Sequence, residues 1–351
     1  MKHHALLLFA ASLSLLHIHA PAALAETGNL SAAQPATTEI ETVLEAYRNG
    51  DYAKARLTAL PLAEKGAVAA QLLLGSLYNN GQGVPSDPEE AAKWFEKAAA
   101  QGDASAQYAL AMLMEYGDIR NATPEAARKY FSDAAAQGHA AAQAELGMMY
   151  MTGYGGPRDM DRAVTLFETA TKSGNADAQY YLGTLYASGQ GKPENLSEAA
   201  HYFTLAAEQG QADANYQLGL MLQDGTGMKK DTAKAVRHFT QAAEKGIAGA
   251  QTSLGFAYLA GEGVEKNHTF AAKWFTEAAI RGDALAQDRL ARLYFLGQGI
   301  TRDVEAAFLW LTLARQSGYE DETLINAIEP EITPEIREKV QAEIARMEKA
   351  E

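Results

Sequence analysis

Residues 67–318 repeat on themselves every 36 residues without an insertion. Gln71 returns as Gln107, Gln143, Gln179, Asn215, Gln251 and Gln287. Gly66 returns as Gly102, Gly138, Gly174, Gly210, Gly246, Gly282 and Gly318. A unit of this length cannot bury its own apolar side, so the copies must stack on one another. That excludes a single closed core and sets the order of everything that follows.

Each copy reads as two helices, near 67–79 and 88–101 in the first. In the first helix Ala70 and its equivalents are always Ala. Leu74 follows four residues later in all seven copies, and the next such step lands mostly on Tyr, as at Tyr78, Tyr150 and Tyr186. Steps of four lie on one helical face. Beside the Leu stands Gly or Ala, as at Gly75 and Ala111; a helix-interior Gly costs roughly 1 kcal/mol, so a close helix crossing is expected there. The second helix repeats Ala91, then Phe95, then Ala98, down to Ala307, Leu311 and Ala314. An aromatic between alanines is a packing knob, worth about 1.5–3 kcal/mol once buried. Its predicted N-caps are Asp51, Asp87, Thr123, Asp159, Asn195, Asp231, Asn267 and Asp303, side chains that accept from open first-turn N–H groups. The closing Gly suits a left-handed stop.

A Gly-x-Gly loop joins the helices, as at Gly81–Gly83 and Gly153–Gly155; the second copy departs with Gly117-Asp118-Ile119. With no strand before it and no Lys-Ser/Thr after it, this is a helix connection and not a phosphate cradle. The whole pattern of A-x-A-Q, L-G, Y, G-x-G, N-cap, A, W-F, K-A-A and G resembles the Sel1-like repeat, a relative of the tetratricopeptide repeat. The resemblance implies an all-α, right-handed superhelical α-solenoid of seven helix pairs over 67–318, used for protein–protein contacts.

The flanks read differently. Residues 1–25 have Lys2, an apolar run over 5–16 and Ala23-Leu24-Ala25, the pattern of a signal peptide cleaved after Ala25. Export to a periplasm or beyond is the expected location. Residues 26–38 are polar and expected to be a disordered leader. Residues 39–66 form an N-terminal capping pair. Residues 319–351 form C-terminal capping helices, with Ile336, Val340, Ile344 and Met347 as the stripe of the last.

Composition narrows function. The chain has no Cys, so neither a disulfide framework nor a lipid-bearing cysteine is available. Its net charge of −14 argues against nucleic acid, which needs a basic face. No later segment reaches membrane-spanning length. His139, His201, His238 and His268 show no paired ligand spacing, and no nucleophile–base arrangement stands out. No cofactor, metal or catalysis is expected.

What varies between copies is the remaining face of the first helix, at the slots of 72, 73, 76, 79 and 80. It carries Tyr108, Met112, Tyr116, Met148, Met151, Tyr180, Tyr181, Thr184, Tyr216, Leu220, Phe256, Leu259, Phe295 and Leu296. In related solenoids this face lines the concave surface. Tyr and Met are enriched in interface cores, so this is the candidate partner-binding stripe. Arg289 and Arg292 share its slots and are candidates for holding an acidic end of a ligand. The expectation is a non-catalytic scaffold or regulator that binds another periplasmic or envelope protein. The alternative is a muropeptide- or carbohydrate-binding protein with weak cell-wall or β-lactam hydrolase activity. Oligomeric state is not legible.

Overall fold

In this computed structural model the described residues are 36–349, with side chains from Glu39. They form eighteen α-helices, one 3-10 turn and no strand. The N-terminal pair is α1 (Ala36–Arg48) and α2 (Tyr52–Glu64). The seven repeats follow as α3 (Val68–Asn80) with α4 (Pro88–Ala99), α5 (Ala104–Glu115) with α6 (Pro124–Ala136), and α7 (Ala140–Thr152) with α8 (Met160–Lys172). Next come α9 (Ala176–Ser188) with α10 (Leu196–Glu208), α11 (Ala212–Asp224) with α12 (Thr232–Glu244), α13 (Ala248–Ala260) with α14 (His268–Ile280), and α15 (Ala284–Leu296) with α16 (Val304–Gln316). The C-terminal cap is α17 (Glu322–Ile328), the 3-10 turn Glu329–Glu331 and α18 (Pro334–Met347). The first helix begins at Ala36 and so takes in the last three residues, 36–38, of the expected leader; the proposed signal peptide and most of that leader lie outside the described residues.

The helices fall into two compact units. One runs to Leu182 and includes Gln190–Lys192; the other comprises Gly183–Gly189 and the chain from Pro193. Within each, consecutive helices pack antiparallel as a solenoid-type stack of hairpins.

All eight expected N-caps accept a first-turn N–H, from Asp51 with Lys54 to Asp303 with Ala306. First helices are capped as well, by Asp103, His139, Asn175, Gln211 and Asp283. The seven knobs, Phe95 to Leu311, are only 0–3% exposed. Each Phe ring lies against the Gly or Ala beside the fixed Leu. An added Cβ on Gly255 would meet the Phe275 ring at 2.5 Å, which explains glycine inside that helix.

The invariant amide of slot 71 fastens one hairpin to the next. Gln71 Nε2 donates to the Ala63 carbonyl, and Gln143, Asn215, Gln251 and Gln287 do the same to Ala135, Ala207, Ala243 and Ala279, at 3.0–3.3 Å. These carbonyls belong to the last turn of the preceding second helix, where helical partners run out. His238, in a slot otherwise held by Trp or Tyr, meets Asn215 Oδ1 through Nδ1 at 2.9 Å.

Six of the seven loops close with one backbone bond, from the N-cap N–H of the second helix to the slot-78 carbonyl, as Asp87 to Tyr78 and Asp303 to Tyr294. The second repeat lacks it. There Ile119 is buried, Asn121 takes φ +59°, and the Arg120 N–H donates to Glu89. In the C-terminal cap Leu324, Ile328, Val340 and Ile344 are buried, while Met347 is exposed.

Candidate functional site

The candidate stripe is neither open nor closed over. Helix periodicity puts its slots opposite the Ala–Leu face that meets the second helices. Yet four of its aromatic rings turn inward and lie on the knobs. Tyr108 sits 5.9 Å from Phe131 and Tyr181 5.0 Å from Phe167, in the N-terminal unit. In the C-terminal unit Tyr216 sits 6.1 Å from Phe239 and Phe256 5.2 Å from Phe275. Each is half-buried.

Two of the expected contact residues are corrected by their depth. Met112 and Met151 are buried; Met112 packs in the cluster around Phe131, Leu146 and Met149. Neither offers surface to a partner. In the first repeat Leu72, Leu73 and Ser76 of these slots are buried and Asn79 and Asn80 half-buried, so the aromatic face begins only with the second. Met148, Tyr180, Leu220, Leu259, Phe295 and Thr184 are half-buried, and Tyr116 and Leu296 are the exposed members.

In the N-terminal unit, α5, α7 and the start of α9 contribute Tyr108, Glu115, Tyr116, Glu145, Met148, Asp177, Tyr180 and Tyr181. Tyr108 stacks on His139 at 4.7 Å, and Tyr180 lies 5.4 Å from Tyr181. Burial, reinforced by Glu115 and Asp177, pushes the Glu145 carboxyl up to about 8. Burial also raises Glu115. The Tyr108 and Tyr116 phenols are raised too, by burial first and then by these carboxylates. Sequence reading overlooked Glu115 and Glu145 because each is the single acid of its slot.

In the C-terminal unit a cavity of about 240 Å³ opens between α11, α12 and α13. Gln223, Thr232, Val236, Phe239, Ser253, Phe256, Leu259 and Glu262 line it. Beyond it the two arginines are not free to clamp a ligand. Arg289 Nη1 lies 3.0 Å from Asp288 Oδ2, and Arg292 bonds Asp321, the N-cap of α17. Asp288 is fully buried, with Oδ1 unpartnered. Burial raises its carboxyl against the pull of Arg289. The arginines therefore tie the last repeat to its cap, which corrects the expectation placed on them.

Among the described residues no group of three or more His, Cys, Asp or Glu is arranged to hold a metal ion, and no helix is long and apolar enough to cross a membrane.

The Sel1 repeat model matches seven consecutive segments, 68–103, 104–139, 140–175, 176–211, 212–247, 248–283 and 284–319. Among solved structures, a Sel1 repeat protein from Oxalobacter formigenes is 31% identical. The match covers 86% of this chain and 95% of that one, with a TM-score of 0.61. The protective antigen c5321 of uropathogenic Escherichia coli, described as displaying an SLR fold, is 26% identical; 87% and 74% are covered, with a TM-score of 0.53. No curated protein matches the chain.

Proposed function

Since the chain belongs to the Sel1 repeat family, whose members are generally protein-interaction scaffolds and typically non-catalytic, we propose that it is an exported envelope scaffold. It binds a segment or domain of another protein on the outward face of its first helices. One observation carries this reading. The recurring caps, knobs and close crossings, and the staple in five copies, are spent within the fold, and the half-buried aromatic face is what remains. Wide rings held partly against the core present apolar area at little entropic cost, as interface residues do. The export part rests on the sequence of residues 1–25 alone.

A protein occupant suits the face better than a sugar. The rings a sugar would stack on are partly spent on the knobs, and a neutral saccharide would bring no charge to Glu115 and Glu145.

Photo-crosslinking in intact cells tests the proposal. A crosslinking residue at 116 or 180 should trap the same partner protein, and one at exposed Glu96, on a second helix, should trap none. The Tyr180→Ala/Tyr181→Ala variant should lose the adduct formed at 116 while keeping its helical circular dichroism. Adducts at Glu96 alone would refute it.

A further inference from the structure

Resting on that reading, we infer that the face built by α5, α7 and the start of α9 receives a lysine- or arginine-bearing segment of its partner. Between residues 68 and 182 the outward first-helix slots carry Glu115, Glu145 and Asp177, and not one Lys or Arg. Glu115 and Glu145 are half-buried, and neither makes an ion pair or hydrogen bond among the described residues. Acids withdrawn from water are ordinarily paired. This fold does pair them at the same register elsewhere: Arg289 and Arg292, in the slots of Glu145 and Met148, each meet a carboxylate. The counter-charge for Glu115 and Glu145 is therefore missing among the described residues.

The chemistry of the missing partner is constrained from three sides. The charge calls for a cation, and a half-buried setting strengthens its attraction. A metal ion does not fit, because these carboxylates do not converge within ligating reach. The exposed ring of Tyr116, which feels Glu145 and Glu115, offers a π face, which attracts ammonium and guanidinium groups. Met148 supplies the apolar floor that the alkyl stem of Lys or Arg prefers. Nucleic acid and acidic segments are repelled.

The test uses the full chain and two synthetic peptides of equal length, one alternating lysine with alanine and one alternating glutamate with alanine, followed by fluorescence anisotropy. The lysine peptide should bind and the glutamate peptide should not. Glu115→Gln/Glu145→Gln should weaken binding by about tenfold. Glu96→Gln/Glu125→Gln makes the same two substitutions at exposed second-helix sites and should weaken it by less than about twofold. Removing unpaired acids leaves the fold intact, so circular dichroism should not change. Binding should also release a proton, seen as a dependence of the heat on the buffer's ionisation enthalpy, because a cation lowers the raised Glu145 carboxyl. Equal weakening in both pairs would overturn the inference, since it would report diffuse attraction to an acidic protein. So would absence of binding. If the crosslinked partner depends on Tyr180 and Tyr181 but not on Glu115 and Glu145, the cationic segment is wrong and the scaffold stands. If the lysine peptide binds through the two acids while no partner crosslinks, the scaffold reading fails alone.

Discussion

Replacing Gly255 by alanine should destabilise a helix that alanine ordinarily favours. The new Cβ would lie 2.5, 2.6 and 2.7 Å from three atoms of the Phe275 ring. The ring has nowhere to go: it is fully buried between Ala271 and Ala278, and Phe256 stands edge-on to it at 5.2 Å. Overpacking of this kind costs ~1–3 kcal/mol, and contacts this short belong at the top of that range. Alanine's helix preference returns about 1 kcal/mol, leaving a net loss of ~2 kcal/mol. The last repeat carries the remedy, with Ala291 and Leu311 in the same two slots, both buried. Phe275→Leu alone should cost ~1–2 kcal/mol through lost volume. The double variant should lose less than the sum by at least ~1 kcal/mol, because the methyl fills what the smaller side chain vacates. Urea unfolding by circular dichroism gives the midpoints. Hydrogen exchange of the α13 and α14 amides localises the effect, since repeat arrays open in segments. A Gly255→Ala protein as stable as the parent, or strictly additive effects, would refute a wedged knob. The second repeat, which holds Ala111 against Phe131, is also the one whose loop takes another path.

Three further outcomes follow from named contacts. The folded Glu145 carboxyl keeps its proton up to about pH 8, against ~4.3 unfolded, so the native state binds the extra proton and stability falls as pH rises between those values. Tyr108, Glu115 and Tyr116 of α5, Asp177 of α9 and His139, stacked on Tyr108, surround that change. Glu145→Gln should flatten the melting profile there and raise stability at pH 8 by at most a few kcal/mol; an unchanged profile would show the carboxyl to be solvated. Arg292→Ala removes the tie to Asp321, whose carboxyl burial raises but the Leu324 N–H and Arg292 lower more strongly. Proteolysis between α16 and α17 should then speed up while the repeats stay protected, and uniform sensitivity would contradict a local latch. Gln251→Ala should remove one donor to the Ala243 carbonyl, which keeps the Gly246 N–H, and cost about 0.5–1.5 kcal/mol by thermal melting; no shift would mean that water replaces the amide.

Helices, caps and knobs were legible because their chemistry is short-range: a cap reads three residues ahead, and a knob is framed by alanines within one turn. The job of slot 71 was not, because its acceptor lies eight residues back, across a glycine turn. Its constancy could be read, its purpose could not. The stripe was legible as a set of slots but not in depth. Slot 76 holds buried Met112 in one copy and half-buried Met148 in the next, since depth is set by neighbouring copies with different side chains. The pairing of Arg292 with Asp321 was hidden for another reason: Asp321 lies past the end of the period, where no register predicts a partner.

The amide staple has an evolutionary consequence. Because five of the seven repeats grip the preceding hairpin through the same slot-71 amide and the same alanine carbonyl, such a copy presents the same coupling to whichever copy precedes it. A gene that duplicates or drops one such block leaves both remaining seams chemically matched. Protein length can therefore change in whole steps, each adding or removing one outward helix with its own five variable residues, while the two terminal caps go on sealing ends they already fit.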